Sequence, residues 1–537
     1  MALGLGNTSG MAVGTLLSRI TGVIRDIALV AAVGTGVFSD TYSVANSLPN
    51  IIYILIAGGA INAVFIPALV RHMKEDDDNG TTFTNKLLTL VGLVLFGIVA
   101  ISLLCVSLII HLYATQEWSG QDFHVAIIFA LWCIPQILFY GLYTLESQIL
   151  NARGVFKLPM YAPIVNNVVV IFSAILFLWI TQATPTTATV TSGELALLGF
   201  GTSFGVALQA LILIPALKKN GYTYTPEFNF RGSGLGKLGD LAIWTIGFVA
   251  VNQISFLVIS KLTTYANVLA LQQSEVATGF TSYQKAQLMM MLPHSIITVS
   301  IITALLPRLS RHSHEQDLAG FGSELGLALR NVIALVIPCA ALLFFMGPQI
   351  GVILYGHGAS SIAAGNAVGQ VASMFALGLP AFSIFYVLLR TYYAQENTKT
   401  PFMINLAFNG LHMGIGITLF WLVPEHLKVA SLALAYAVGY TIVAVVTWKR
   451  VTNRLPATNT RSLCQLLVRV CVAVTIVGLM CWGITYRLID RSATGGSLVQ
   501  LVVFTSIYAA GFLGIAKLMK IQVINEFIDQ VIHRRHG

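Results

Sequence analysis

Charge is the scarcest thing in this sequence: of 537 residues only 9% are Asp, Glu, Lys or Arg, against roughly 25% in an ordinary soluble chain. With 56% hydrophobic residues there is too little polar surface to face water, and a soluble globular domain is excluded. The six cysteines, Cys105, Cys133, Cys339, Cys464, Cys471 and Cys481, form no CxxC pair and no cluster with histidine. Neither a disulfide framework nor a zinc or other metal site is indicated. A phosphate-binding glycine loop, a nucleophilic triad and paired acids at a membrane boundary are also missing. ATP hydrolysis by this chain and glycosyl transfer are thereby excluded, so the chain reads as a transporter rather than an enzyme, without cofactor. The N-terminal MALGLGNTSG lacks the basic start of a cleavable signal, and Arg19, Arg25 and Asp26 interrupt the apolar stretch that follows. That stretch is expected to stay as a helix.

What is present is apolar sequence in long runs. Fourteen segments can be placed, at about 8–36, 41–70, 86–114, 123–150, 160–181, 193–217, 238–263, 277–306, 326–355, 365–394, 402–423, 428–448, 463–489 and 497–519. They lack the alternation of barrel strands and are long enough to span a bilayer. Only helices or closed barrels satisfy the backbone there, so the expected fold is an all-α membrane protein of about fourteen transmembrane helices. Pro49, Pro135, Pro293 and Pro338 mark expected kinks.

The net charge of +9 does not point to nucleic acid, because the basic residues sit in short loops. Twenty of them fall on one set: Arg71, Lys74, Lys86, Arg153, Lys157, Lys218, Lys219, Arg231, Lys237, Arg308, Arg311, Lys399, Lys449, Arg450, Arg454, Arg461, Lys517, Lys520, Arg534 and Arg535. The opposite loops hold only Lys261, Lys428, Arg487 and Arg491. By the positive-inside rule, the even-numbered loops and both termini are cytoplasmic in a multi-pass cell-membrane protein.

The chain also repeats itself. Leu48-Pro49 recurs as Leu292-Pro293, Pro67-x-Leu69-x-Arg71-His72 as Pro307-x-Leu309-x-Arg311-His312, and Ala152-x4-Lys157-x-Pro159 as Ala394-x4-Lys399-x-Pro401, at offsets of 244, 240 and 242. Three matches in order at nearly one offset indicate duplication. Each copy holds six helices, so both enter from the same side and should be related by a pseudo-two-fold axis along the membrane normal. The expected organisation is an N-lobe over 1–220, a C-lobe over 221–455, and a last pair of helices with a cytoplasmic tail over 456–537.

The first segment reads SRITGVIRD, with Arg19, Arg25 and Asp26 in its middle. One such charge at mid-bilayer costs about 2.5–3.5 kcal/mol even on the lenient insertion scale, so these side chains should face a wet cavity. The plainer alternative is an internal salt-bridge cluster, in which Asp26 or Asp40 neutralises an arginine and locks the first helix to the second. Two arginines with one nearby acid leave positive charge in excess, which suits a phosphate or pyrophosphate gripped in bidentate fashion. In the second segment, Asn46 and Asn50 share a face beside Pro49; they either line the cavity or satisfy carbonyls that the proline frees. Gly58, Gly59 and Ala60 read as a close-packing stripe. Asp240, Asn252, Gln253, Asn405 and Asn409 are candidate ion ligands, each more simply explained as a hydrogen-bonder.

The blocks SRITGVIRD, SDTYSVANSLPN, AGGAINAVFIPAL, NARGVFKLPMYAPIVNN, LLPRLSRH and YYAQENTKTP together resemble the MurJ (MviN) family of lipid II flippases over residues 8–450. That resemblance implies the multidrug/oligosaccharidyl-lipid/polysaccharide exporter fold, two six-helix lobes around a central cavity with two extra helices forming a groove for a lipid tail. It implies a cationic cavity that binds the pyrophosphate of undecaprenyl-pyrophosphate-linked disaccharide-pentapeptide and carries it outward by alternating access. Arg19, Arg25 and Asp40 fall on positions where the family has functional charges, and Asp26 lies beside them. Two further family arginines are replaced, by Tyr53 and Leu288, and Lys285, three residues before Leu288, is a candidate to restore charge. The expected substrate-binding set is therefore Arg19, Arg25, Asp26, Asp40, Asn46, Asn50 and Lys285. Membrane potential or an ion gradient is the expected driving force and a monomer the expected transport unit. Alternatives of the same fold are a cation-coupled drug exporter and a flippase for another polyprenyl-linked glycan; a membrane scaffold is the reading from a different class.

Overall fold

A computed structural model describes residues 5–55, 66–181, 184–229, 239–488 and 494–519. Gly58, Gly59, Ala60, Asn62, Arg231, Lys237, Arg491, Lys520, Arg534 and Arg535 lie outside the described residues. Among the described residues there is no strand. The helices are α1 (Leu5–Val33), α2 (Val37–Tyr53), α3 (Ile66–Glu75), α4 (Thr81–Leu104), α5 (Val106–Tyr113), α6 (Gly120–Cys133), α7 (Gln136–Ala152), α8 (Lys157–Thr181), α9 (Ser192–Leu211) and α10 (Ile214–Lys219). They continue with α11 (Gly239–Gln272), α12 (Phe280–Pro293), α13 (Val299–His314), α14 (Leu318–Tyr355), α15 (Ile362–Ala394), α16 (Lys399–Leu422), α17 (Lys428–Thr452), α18 (Thr460–Leu488) and α19 (Thr494–Leu518).

Twelve helical stretches among the described residues are long and apolar enough to cross a membrane. They coincide with the third to fourteenth segments read from the sequence. The first segment lies in α1; of the second, the described parts lie in α2 and α3 and residues 56–65 lie outside the described residues, so neither is among these twelve and the count of fourteen is not reproduced. Leu104 and Leu518, 87% and 81% exposed, would be costly in water and are at home against hydrocarbon. The chain is a multi-pass membrane protein.

Local chemistry sets several boundaries. Ser119 and Asp122, and likewise Thr191 and Glu194, form reciprocal capping boxes that start α6 and α9. Pro135 separates α6 from α7, and Pro293 ends α12 ahead of a π turn over His294–Thr298. Pro338 lies inside α14, which continues through it.

Two compact units can be recognised, Met1–Val268 with Gly358–Ser360, and Leu269–His357 with Ser361–Gly537. In the first, α1 packs on α8, α8 on α9, and α2 on α6 and α7. Helix α11, which the sequence reading places at the start of the C-lobe, belongs to this unit through Val268. Its polar residues provide the attachment: Asn267 donates to Asp40 at 2.8 Å, and the Thr264 hydroxyl accepts from the Thr115 amide at 2.9 Å. The short excursion Gly358–Ser360 joins through the Ala359 amide, which donates to the Ala31 carbonyl at 2.7 Å. Gly358 is at φ +65°, where a Cβ would lie 2.3 Å from that carbonyl oxygen, so only glycine fits. In the second unit, α15 packs against α12, α14 and α17, α16 against α17, and α18 and α19 against α14 and each other.

Candidate functional site

In the first unit the polar residues of α1 meet those of α8. The Arg25 guanidinium donates from Nη1 to Asn167 Oδ1 at 3.1 Å and lies 3.5 Å from Asp26 Oδ2. Asn167 is itself held, its Nδ2 donating to the Ser18 carbonyl at 3.1 Å and to the Thr21 hydroxyl at 2.9 Å. One turn of α1 thus fixes the amide that fixes the arginine. Arg25 remains 31% exposed at its side chain while Asp26 is 8% exposed. The guanidinium is therefore only partly covered, and its buried Nε has no hydrogen-bond partner. Arg19, also half-buried, has no hydrogen-bond or ion-pair partner among the described residues. A charge-assisted bond to an anion is what such donors can still form.

Asp40, fully buried at the start of α2, accepts from Asn267. That amide also donates to the Thr35 carbonyl at 3.3 Å, so it ties the loop before α2 to α11. Further along α2, Asn46 Oδ1 accepts from Gln136 Nε2 at 3.3 Å; Gln136 also donates to Ser203, which donates to the Trp132 carbonyl. Tyr140 donates to the other end of the Gln136 amide at 3.1 Å. Asn46 is thus part of an interhelical polar chain, whereas Asn50 is exposed. Tyr53, standing where an arginine is expected, is buried and donates to Thr144 at 2.9 Å. It joins α2 to α7 by a neutral bond and contributes no charge.

Lys285 stands in the second unit, half-buried on α12 between the buried Tyr283 and Ala286. Among the ion-ligand candidates, Asn252 donates to the Phe248 carbonyl and Asn409 to Asn405, in each case four residues back on their own helix. Only the backbone of Asp240 is described. No group of three or more His, Cys, Asp or Glu that could hold a metal is found among the described residues.

Gln136, Asn167 and Asn267 are the organising residues that the charged positions overshadow in the sequence. Their signal is an amide inside an apolar helix, which needs a partner across the interface. Arg390, four residues before the end of α15, is a further cation on a helix of spanning length, stacked 4.4 Å over Tyr386 and 5.5 Å over Tyr393.

The model of the family described as lipid II flippase MurJ matches residues 29–504. The chain belongs to the MurJ family. A Haemophilus influenzae relative named "Probable lipid II flippase MurJ" is 26% identical over 486 residues, 87% of this chain and 90% of its own length. "Lipid II flippase MurJ" of Burkholderia cenocepacia is 26% identical over 396 residues, 73% of each chain. Among solved structures, "Lipid II flippase MurJ, inward closed conformation" superposes with a TM-score of 0.70 at 20% identity, covering 95% of this chain and 99% of that one. An inward-facing multidrug resistance MATE family transporter of the MOP superfamily gives a TM-score of 0.61 at 12% identity, over 82% of this chain and 96% of that one. At these identities the two structures establish the shared fold, and the family match establishes a transporter rather than an enzyme.

Proposed function

We propose that this chain is a flippase that moves lipid II, the undecaprenyl-pyrophosphate-linked disaccharide-pentapeptide of cell-wall synthesis, from the cytoplasmic to the outer leaflet of the cell membrane. The observation that carries this reading is the family match across residues 29–504. The arginines of α1 support it chemically. Arg25 is oriented by Asn167 yet only partly covered, and Arg19 is free of competing acids among the described residues. Arg presents a planar fork that suits a pyrophosphate better than a point charge does. In this reading Arg19 and Arg25 grip the pyrophosphate and Asp26 limits the excess charge. Asp40, with Asn46, sets the geometry of α2, Asn50 borders the path, and Lys285 supplies the charge absent at Tyr53 and Leu288. The protein works as a monomer by alternating access between its repeats, both termini cytoplasmic, driven by membrane potential or an ion gradient.

The fold is shared with a multidrug transporter, but a drug exporter has little use for paired arginines on α1. The test is complementation in cells depleted of their own lipid II flippase, together with an assay of lipid II on the outer leaflet. Growth with restored outer-leaflet lipid II is expected. Stable membrane expression without either refutes the proposal.

A further inference from the structure

One acid of the first unit is buried in a helix of spanning length and has no part in the arginine site. Glu146 stands six residues before the end of α7 at Ala152, about 9 Å inside it at 1.5 Å per residue, and is 3% exposed. Its Oε2 accepts no hydrogen bond, and no ion pair joins the carboxyl to a cation among the described residues. The helices packed on α7 are α2, α3, α4, α9 and α10. At this end α9 carries no titratable group, and α2 brings Tyr53, whose phenol is engaged by Thr144. On α3, Arg71 and Glu75 are exposed, His72 pairs with Asp76, and only the backbone of Lys74 is described. Lys218 and Lys219 of α10 are exposed, and Lys86 of α4 is half-buried without an acid partner among the described residues.

The segment 220–229, which follows α10, reaches this acid through one side chain. Gly221, at φ +76°, makes the turn, and Tyr222 enters the protein: it is 1% exposed, whereas residues 223–226 are exposed. Its phenol donates to Asn85 Oδ1 on α4 at 2.7 Å. Asn85 Nδ2 in turn donates to Thr225 Oγ1 at 2.7 Å, and Thr89 accepts from the Glu227 amide at 3.1 Å and bonds the Tyr224 hydroxyl at 2.9 Å. Glu227, the segment's own acid, accepts from the Asn229 amide at 3.2 Å. From α7, Arg153 donates to the Asn220 carbonyl at 2.9 Å with its guanidinium 5.3 Å over the Tyr222 ring. Arg153 follows Glu146 by seven residues, on nearly the same stripe of the helix. Both stand within electrostatic reach of the Tyr222 phenol. The segment has no regular secondary structure over 222–229, so these side-chain bonds are what hold it.

We propose that Glu146 is a proton-binding site closed by Tyr222: the acid holds a proton while the segment 220–229 is docked and releases it to water when the segment lifts. A carboxylate buried without a partner is far costlier than the neutral acid, so the docked state selects the acid. When Tyr222 withdraws, water reaches the carboxyl and Arg153 loses the ring it stacks on, and both changes favour the carboxylate. The O–H bond then breaks, its electron pair stays on the Glu146 oxygen, and the proton passes to water at the end of the span that carries Arg153. The docked state binds one proton more than the lifted state. Docking is therefore strengthened as pH falls and weakened as pH rises.

The experiment takes the full-length protein in liposomes and reads two quantities. Infrared difference spectroscopy should show a neutral-acid carbonyl band at neutral pH that is missing from Glu146→Gln and from Tyr222→Ala. Hydrogen–deuterium exchange, corrected for the intrinsic rate, should show the protection of 220–229 falling by about tenfold per pH unit as pH is raised through the titration of the acid, which is the slope for one linked proton. Glu146→Gln, a neutral isostere, should keep the segment docked with protection independent of pH and with unchanged thermal stability. A wild type without an acid band assignable to Glu146 overturns the proposal. So does a band that appears only in Lys74→Gln, which would make the acid an ion-pair partner of that lysine. Protection that is independent of pH in the wild type, or that depends on pH equally in Glu146→Gln, overturns it as well. Neither readout involves a transported substrate, so the outcome is independent of the cargo assigned above.

Discussion

Arg25 and Asp26 are neighbours in the chain and touch at only 3.5 Å, and the stronger constraint on the arginine is a neutral amide from another helix, Asn167 at 3.1 Å. A carboxylate in bidentate contact would consume the guanidinium, whereas an amide orients it and leaves its charge available. Both Arg19→Ala and Arg25→Ala are therefore expected to abolish complementation with the protein still in the membrane. Each loses a charge-assisted partner worth about 1.5–3 kcal/mol, roughly 10- to 150-fold in affinity. Arg25→Lys should rescue poorly, because an ammonium cannot form the planar fork. Growth of both alanine variants at normal expression would sink the anchor. Lys285 carries a separate prediction: Lys285→Ala should impair outer-leaflet exposure of lipid II, and adding Leu288→Arg should restore part of it. If Lys285→Ala matches wild type, the lysine only reaches toward the membrane surface. The charged members of the candidate site stand out in the sequence because charge in an apolar run is rare. Asn167 was not, since it reads as one more polar residue until the fold sets it against Arg25.

The repeated motifs leave similar local structure in each unit. After Leu48-Pro49 the backbone enters a π turn at Ile54, and after Leu292-Pro293 it does so over His294–Thr298. Each proline removes a ladder bond, and the wider turn absorbs the mismatch. The paired Arg-His motifs then end in equivalent contacts, His72 Nδ1 on Asp76 at 3.0 Å and His312 Nδ1 on Asp317 at 2.9 Å. Asp317 also caps α14, and the Gly320 amide followed by His312 holds its carboxyl below the ordinary 3.8. A depressed folded-state value means the cap is intact above 3.8 and is lost as pH falls below it. Corrected amide exchange at Gly320 should accelerate below that pH in the wild type and show no such step in Asp317→Asn. One close backbone contact in the second unit is not legible in the sequence. Gly347 and Gly351 on α14 face Gly365 and Gly369 on α15, and a Cβ on Gly369 would lie 2.1 Å from the Gly347 carbonyl oxygen. Two backbones at that distance tolerate nothing larger than hydrogen. Gly369→Ala should destabilise by about 1–3 kcal/mol and lower the melting temperature in detergent. Gly410→Ala, with nothing within 4 Å, should not.

At the scale of the whole molecule, the fold was legible because hydrocarbon imposes a length and a composition on every span. The segments at 86–114 and beyond all return as membrane-length helices. What spacing could not supply was the allegiance of α11, decided by Asn267 and Thr264, whose partners Asp40 and Thr115 lie some 150 to 230 residues away in sequence. Orientation is a further question, and it rests on charge alone. The loop at 184–191, between α8 and α9, holds no basic residue, and the one at 220–229, between α10 and α11, follows directly on Lys218 and Lys219. Lysine and arginine near the ends of spans resist translocation, and the bias acts chiefly through short loops like these. In a variant stripped of its native cysteines, Thr187→Cys should therefore react with an impermeant maleimide added to intact cells. Thr225→Cys should react only after the membrane is opened. Both positions lie in described loops, and Thr225 pairs with Asn85 at 2.7 Å, so its control is a permeant maleimide that establishes reactivity before sidedness is read. Labelling of Thr225→Cys but not Thr187→Cys in intact cells would invert the protein, place the basic loops outside, and reverse the direction in which its cargo must travel.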